Sequence, residues 1–200
     1  MAMGSRICVR ILCGMALAGL MQMGIANATP RPSFAGVWER SEIERTAGSR
    51  SRCIPAGMPQ MMRGLPPIEI VEVPGKIVIL GELFGELRHI YLNEKMPPLD
   101  DLTPTFAGYS VAHWEGSTLV VETRGVREDV QVFHMPHSAE MTITERLRLT
   151  ARGTLEDSIV ISDPAVLAKP YRVKFEYRRT VVQKSAEYVC DKARASAPAP

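Results

Sequence analysis

The sequence has none of the common signatures of cofactor-dependent or hydrolytic enzymes. It contains no glycine-rich phosphate loop, no G-x-S-x-G elbow, no H-E-x-x-H pair and no C-x-x-C motif. Nucleotide binding, an α/β-hydrolase and the familiar zinc hydrolases are therefore without support, and neither a cofactor nor a metal is expected. Charge of one sign is missing too: 24 basic against 22 acidic residues leave only +2. Long apolar runs are also scarce. The longest, Ile11 to Ile25, spans about fifteen residues and holds three glycines, too short for a comfortable bilayer crossing, so no membrane span is expected.

That one run sits in a telling context. Arg6 and Arg10 precede it and Ala26-Asn27-Ala28 follows it, the order of a charged region, an apolar region and a small-residue cleavage site. Residues 1–28 read as a signal peptide, Thr29 as the mature N-terminus and the bacterial periplasm as the destination. Cleavage removes two arginines and no acid, so the mature chain is neutral and has no electrostatic reason to seek nucleic acid or anionic lipid. A small molecule or a protein is the expected partner, with self-association left open. Of the four cysteines only Cys53 and Cys190 survive cleavage, and an oxidising compartment favours their pairing.

The mature chain, 172 residues long, fits one domain, placed at residues 29–192 with an Ala- and Pro-rich flexible tail at 193–200. Its apolar residues recur with period two far more often than with period 3.6. The expected strands are Gly36 to Arg40, Ile68 to Val73, Lys76 to Leu83, Leu87 to Leu92, Tyr109 to Trp114, Thr118 to Thr123, Met141 to Thr150, Thr154 to Ser162, Arg172 to Val182 and Glu187 to Cys190. Pro74-Gly75, Glu115-Gly116-Ser117, Arg152-Gly153 and Asp163-Pro164 lie between them as turns. Short strands of this number without a long amphipathic helix predict an all-β fold, a single antiparallel barrel of about eight to ten strands. The opening Gly36-Val37-Trp38 resembles the G-x-W start of lipocalin-type barrels. Between Cys53 and Pro67, Met58, Met61 and Met62 predict an irregular loop or short helix at a barrel mouth, with the methionines at a core edge.

A longer series of motifs carries a second resemblance. Cys53-Ile-Pro-Ala-Gly-Met-Pro59, Arg88-His-Ile-Tyr91, Pro98-Leu-Asp100, Gly108-Tyr-Ser110, His113-Trp-Glu-Gly116, Glu145-Arg146 and Glu187-Tyr-Val-Cys190 occur in an order that resembles a large, mostly uncharacterised family of exported bacterial proteins. Asn93-Glu94 departs from it where an Asp-Gly turn is expected, as does Ser117 where Asp is expected. The chain is also similar to exported sphingomonad enzymes that decarboxylate phenylcoumaran-type lignin dimers without a cofactor. That similarity implies a lyase acting on a small aromatic carboxylate.

The residues able to carry such chemistry lie on strands. Alternation puts Tyr109, Val111, His113 and Glu115 on one face and Ser110, Ala112 and Trp114 on the other. If the first face is the interior, His113 serves as general acid or base, Glu115 fixes its tautomer and Tyr109 bonds a substrate oxygen; otherwise His113 is a rim histidine. Arg88 shares a face with Ile90, and Tyr91 with His89. Arg88 either grips a substrate carboxylate or pairs with Asp100 or Glu145, while Glu115, Tyr91 and Trp114 are expected to contact the substrate. Glu145 is the polar exception on an apolar strand face, so it needs a partner or a raised pKa. His134 and His137 read as a loop over the mouth. Three functions follow: a cofactor-independent lyase, decarboxylase or isomerase using His113, Tyr109 and Glu145; a lipocalin-like carrier of a hydrophobic small molecule; or an envelope accessory protein, recognisable by an exposed apolar patch.

Overall fold

The computed structural model describes residues 31–42, 54–63 and 67–181. The signal peptide, the tail, Cys53, Cys190 and the expected strand Glu187 to Cys190 lie outside them. Among the described residues nine strands follow in order: β1 (Gly36–Arg40), β2 (Ile68–Val73), β3 (Lys76–Gly81), β4 (Glu86–Leu92), β5 (Tyr109–Glu115), β6 (Thr118–Arg124), β7 (Thr142–Leu149), β8 (Leu155–Ser162) and β9 (Tyr171–Thr180). Each pairs with its neighbours in sequence, and β9 returns to β1, so the sheet closes.

Every pairing is antiparallel except β4 with β5, which run parallel with Ile90 opposite Ser110. This departs from the expected purely antiparallel barrel, and the connection explains it. A two-residue turn can only reverse a strand, whereas residues 93–108 run back along the barrel before β5 begins. Asn93 starts that return at φ 60°, a conformation that asparagine tolerates better than most residues. Gly108 ends it at φ +68°, where an added Cβ would come within 2.7 Å of the Arg124 carbonyl oxygen. By contrast Pro74-Gly75 is a local reversal, with Val73 paired to Lys76 across it and Gly75 at φ +75°.

Alternation decides what each strand buries. Ile68 and Ile70 on β2, Ile77 and Ile79 on β3, Leu119 and Val121 on β6, Ile143 and Leu147 on β7, and Leu155, Ile159 and Ile161 on β8 all point inward and are buried. Each such side chain contributes about 1.5–3 kcal/mol relative to exposure, so a one-residue slip of any strand would forfeit several at once.

The two barrel ends close differently. At the end where β1 starts, Trp38 is buried, donates Nε1–H to the Phe34 carbonyl at 2.8 Å and lies under the Arg179 guanidinium, 4.4 Å from the ring centroid. Phe34 packs against Trp114 there at 5.3 Å. At the other end a single helical turn, α1 (Gln60–Arg63), brings buried Met58, Met61 and Met62 over the core. The Tyr177 hydroxyl donates to the Met62 carbonyl at 2.5 Å. Phe133, held at φ 47°, packs beside Tyr171 and Phe175 at the same end.

Candidate functional site

The expected catalytic residues do not converge. On β5 it is Ser110, Ala112 and Trp114 that point inward, while Tyr109, His113 and Glu115 point out. The His113 side chain is 59% exposed. Burying an imidazole and a carboxylate beside it costs far more than exposing them, and the other face offered Ala112 and Trp114 to the core instead. His113 does contact Glu115, at 3.3 Å, and Arg146 donates to the second Glu115 oxygen at 2.8 Å. The Arg146 hydrogen bond, with a smaller effect from His113, holds the Glu115 carboxyl below its ordinary pKa. This is a solvated surface cluster. Glu145, on the inner face of β7, is separated from His113 by the sheet itself.

Inside the barrel lies a polar network. Arg88 from β4 and Glu145 from β7 are both fully buried. Two hydrogen bonds join them: Nη1 reaches one Glu145 oxygen at 2.9 Å and Nη2 the other. Arg88 also donates to Ser110 Oγ at 3.2 Å and to Thr123 Oγ1 at 2.9 Å. Ser110 and Thr123 bond each other at 2.8 Å. With its guanidinium thus engaged and shielded from solvent, Arg88 has the Glu145 partnership, not the one with Asp100. It is not presented to a substrate carboxylate.

Asp157 on β8 completes the interior set and was not singled out from the sequence. It is buried, and neither carboxyl oxygen has a partner among the described residues. Burial, reinforced by the Glu145 charge and only partly offset by Arg88, pushes its pKa well up. The alternation that exposes Glu145 as a polar exception marks Asp157 equally, since Leu155, Asp157, Ile159 and Ile161 share one face.

A concave site lies instead on the outer surface of β4 and β5. Tyr91 and Tyr109 stack with centroids 5.1 Å apart at 24°, and His89 continues the ladder 6.4 Å from Tyr91. The parallel pairing of β4 with β5 sets Tyr91 directly opposite Val111, which leaves Tyr109 within stacking reach. Phe84, Glu86, Leu87, Thr105 and Phe106 complete a cleft of about 420 Å³. The Tyr109 hydroxyl donates to Glu94 at 3.1 Å, and its pKa is raised by burial and by that carboxylate. Glu86 accepts the Gly57 N–H at 2.6 Å; burial raises its pKa despite the Gly57 and Ala56 amides, which act the other way. His89 Nδ1 is buried, with no hydrogen-bond partner among the described residues. Among the described residues, neither lysine nor arginine lines the cleft. Tyr91 and Tyr109, named from the sequence, thus meet here, whereas Trp114 sits inside the barrel end and His113 outside the cleft. The loop residues Phe84 and Phe106 carry no periodicity that would have revealed them.

No protein-family model matches the chain, and no curated protein matches it. Among solved structures it is similar to a mutant of the fluorescent protein UnaG, at 16% identity and a TM-score of 0.40, over 74% of this chain and 97% of that one.

Proposed function

We propose that this chain is an exported binding protein that holds a small phenolic aromatic compound in the outer cleft of β4 and β5. The observation that carries this reading is the His89, Tyr91, Tyr109 ladder along one wall of the cleft. A planar ligand can extend that stack, and aromatic pairs contribute about 0.5–1.5 kcal/mol beyond the area they bury. His89 Nδ1 supplies direction. Nδ1 has no exposed surface as it stands, so a ligand hydroxyl reaches it once the imidazole turns, and relief of the roughly 1–3 kcal/mol that an unpaired buried polar atom costs favours that turn. A carboxylate is the less suitable group, since Glu86 lines the cleft, Glu94 borders it and, among the described residues, no lysine or arginine lines it.

The periplasm is the proposed location, supported by the Arg6, Arg10, apolar run and Ala26-Asn27-Ala28 order. Export would also let Cys53 pair with Cys190.

A second reading, cofactor-independent lyase chemistry on an aromatic acid, is favoured by one observation. Glu86, with its raised pKa, shares the cleft with His89, and perturbed titratable groups in a cleft are a common property of acid and base catalysts. On this reading the proton-moving pair is Glu86 and His89 rather than His113 and Glu145.

Titration calorimetry of the mature protein with a panel of phenols and aromatic acids tests both readings, with product and carbon dioxide followed in the same samples. Saturable binding of phenols without turnover is the expected result. Turnover would replace the first reading with the second, and no binding across the panel would eliminate both.

A further inference from the structure

The outer surface of the barrel is two-sided. Across β7, β8 and β9 it is charged, with Arg148 and Lys174 both paired to Glu156. Across β2, β3 and β4 it is largely aliphatic. There the register sets Glu69, Leu80 and Leu87 in one row, Val71, Val78 and His89 in the next, and Val73, Lys76 and Tyr91 in the third. Val71 is 37% exposed, Val73 40% and Leu87 48%. A solvated sheet face ordinarily alternates to polar residues, and a contiguous apolar patch on a barrel wall marks an interaction surface.

Two charged residues frame this patch, and their placement points to its occupant. Glu69 lies in the first row on β2 and Lys76 in the third row on β3. Neither makes an ion pair among the described residues. A two-fold axis lying in the interface and running nearly across the strands reverses the strand direction of a second copy. It lays Val71 and Val78 of one copy over those of the other, and each copy's Lys76 over the other's Glu69. The tilt of the axis needed to bring those two charges together leaves the facing strands a few tens of degrees apart, close to the roughly 30° at which aligned sheets pack. The face is thus complementary to itself, as an isologous contact requires.

We infer that the outer face of β2, β3 and β4 docks a second copy of this chain, with Val71 and Val78 at its centre and reciprocal Glu69 and Lys76 pairs at its edges. Leu87 and His89 place the aromatic cleft beside this contact, but Glu69, Val71 and Lys76 do not line it. Leu87, His89 and Tyr91 belong to both surfaces, so substitutions at Glu69, Val71 and Lys76 are the ones that test the contact apart from the cleft.

Sedimentation velocity of the mature protein over a wide concentration series tests this. A concentration-dependent dimer is expected. Glu69→Lys and Lys76→Glu should each weaken it about tenfold, the two together should restore it, and Val71→Asp should leave monomer. All are surface positions, and circular dichroism checks that each variant is folded. A native protein that stays monomeric throughout the series overturns the inference. So does a folded double reversal that associates no better than the single ones.

Discussion

Arg88 and Glu145 meet by two hydrogen bonds in the middle of the barrel, although β5 and β6 separate their strands in the sheet. Closure of the barrel turns four successive inner faces toward one another, so Ser110 and Thr123 on the intervening strands accept two further N–H bonds of the guanidinium. The pair is a structural element of the interior, and four predictions follow the consequences of this arrangement and of the outer cleft.

Removing one partner should hurt far more than removing both. Arg88→Met leaves a buried carboxylate without its cation and is expected to cost about 3–5 kcal/mol in urea denaturation, whereas Arg88→Met with Glu145→Leu should recover most of that loss. Equal costs for the single and double variants would mean that the two residues do not act as a unit.

Asp157 should make the protein less stable as pH rises. Its folded pKa lies above its unfolded value, so the folded state keeps a proton that the unfolded chain releases above about pH 3.9. Stability is therefore lost from there upward through the folded pKa and then levels off. Glu86 adds to the trend in the same sense. Asp157→Asn is expected to flatten the profile and to raise the melting temperature near pH 8 by about 3–10 °C. A native slope retained in that variant would assign the pH dependence to other groups.

Tyr109→Ala should weaken phenol binding about threefold to tenfold by calorimetry, the loss of one stacking partner. His89→Ala should lower the affinity for hydroxylated aromatics more than for their unsubstituted counterparts, because only the former lose a hydrogen bond. Unchanged affinity in Tyr109→Ala would move the ligand to another site.

His113→Ala should leave both binding and fold as they are. The side chain is exposed, outside the cleft, and joined to Glu115 only at the surface, so the expected change in stability is within about 0.5 kcal/mol. A folded His113→Ala protein that no longer binds or turns over the compound would restore the imidazole to the mechanism.

Local pattern alone determined much of this molecule. Period-two alternation locates each of β1 to β9 to within a few residues, Pro74-Gly75 and Arg152-Gly153 set their turns, and the polar exception at Glu145 announces that a buried partner must exist. These are properties of a few neighbouring residues, because the pleat and the turn dihedrals act over two to four positions. Three features were decided only by the tertiary structure: which face of β5 is buried, which acid Arg88 meets, and where a cleft opens. Alternation says that Tyr109, His113 and Glu115 share a face but not that this face is outside. That choice compares the burial of Ser110, Ala112 and Trp114 with the desolvation of a histidine and a glutamate. Barrel closure brought Glu145 rather than Asp100 to Arg88, and the long return of residues 93–108 placed Tyr109 beside Tyr91. Both depend on contacts between residues far apart in the chain, which no short window of sequence contains.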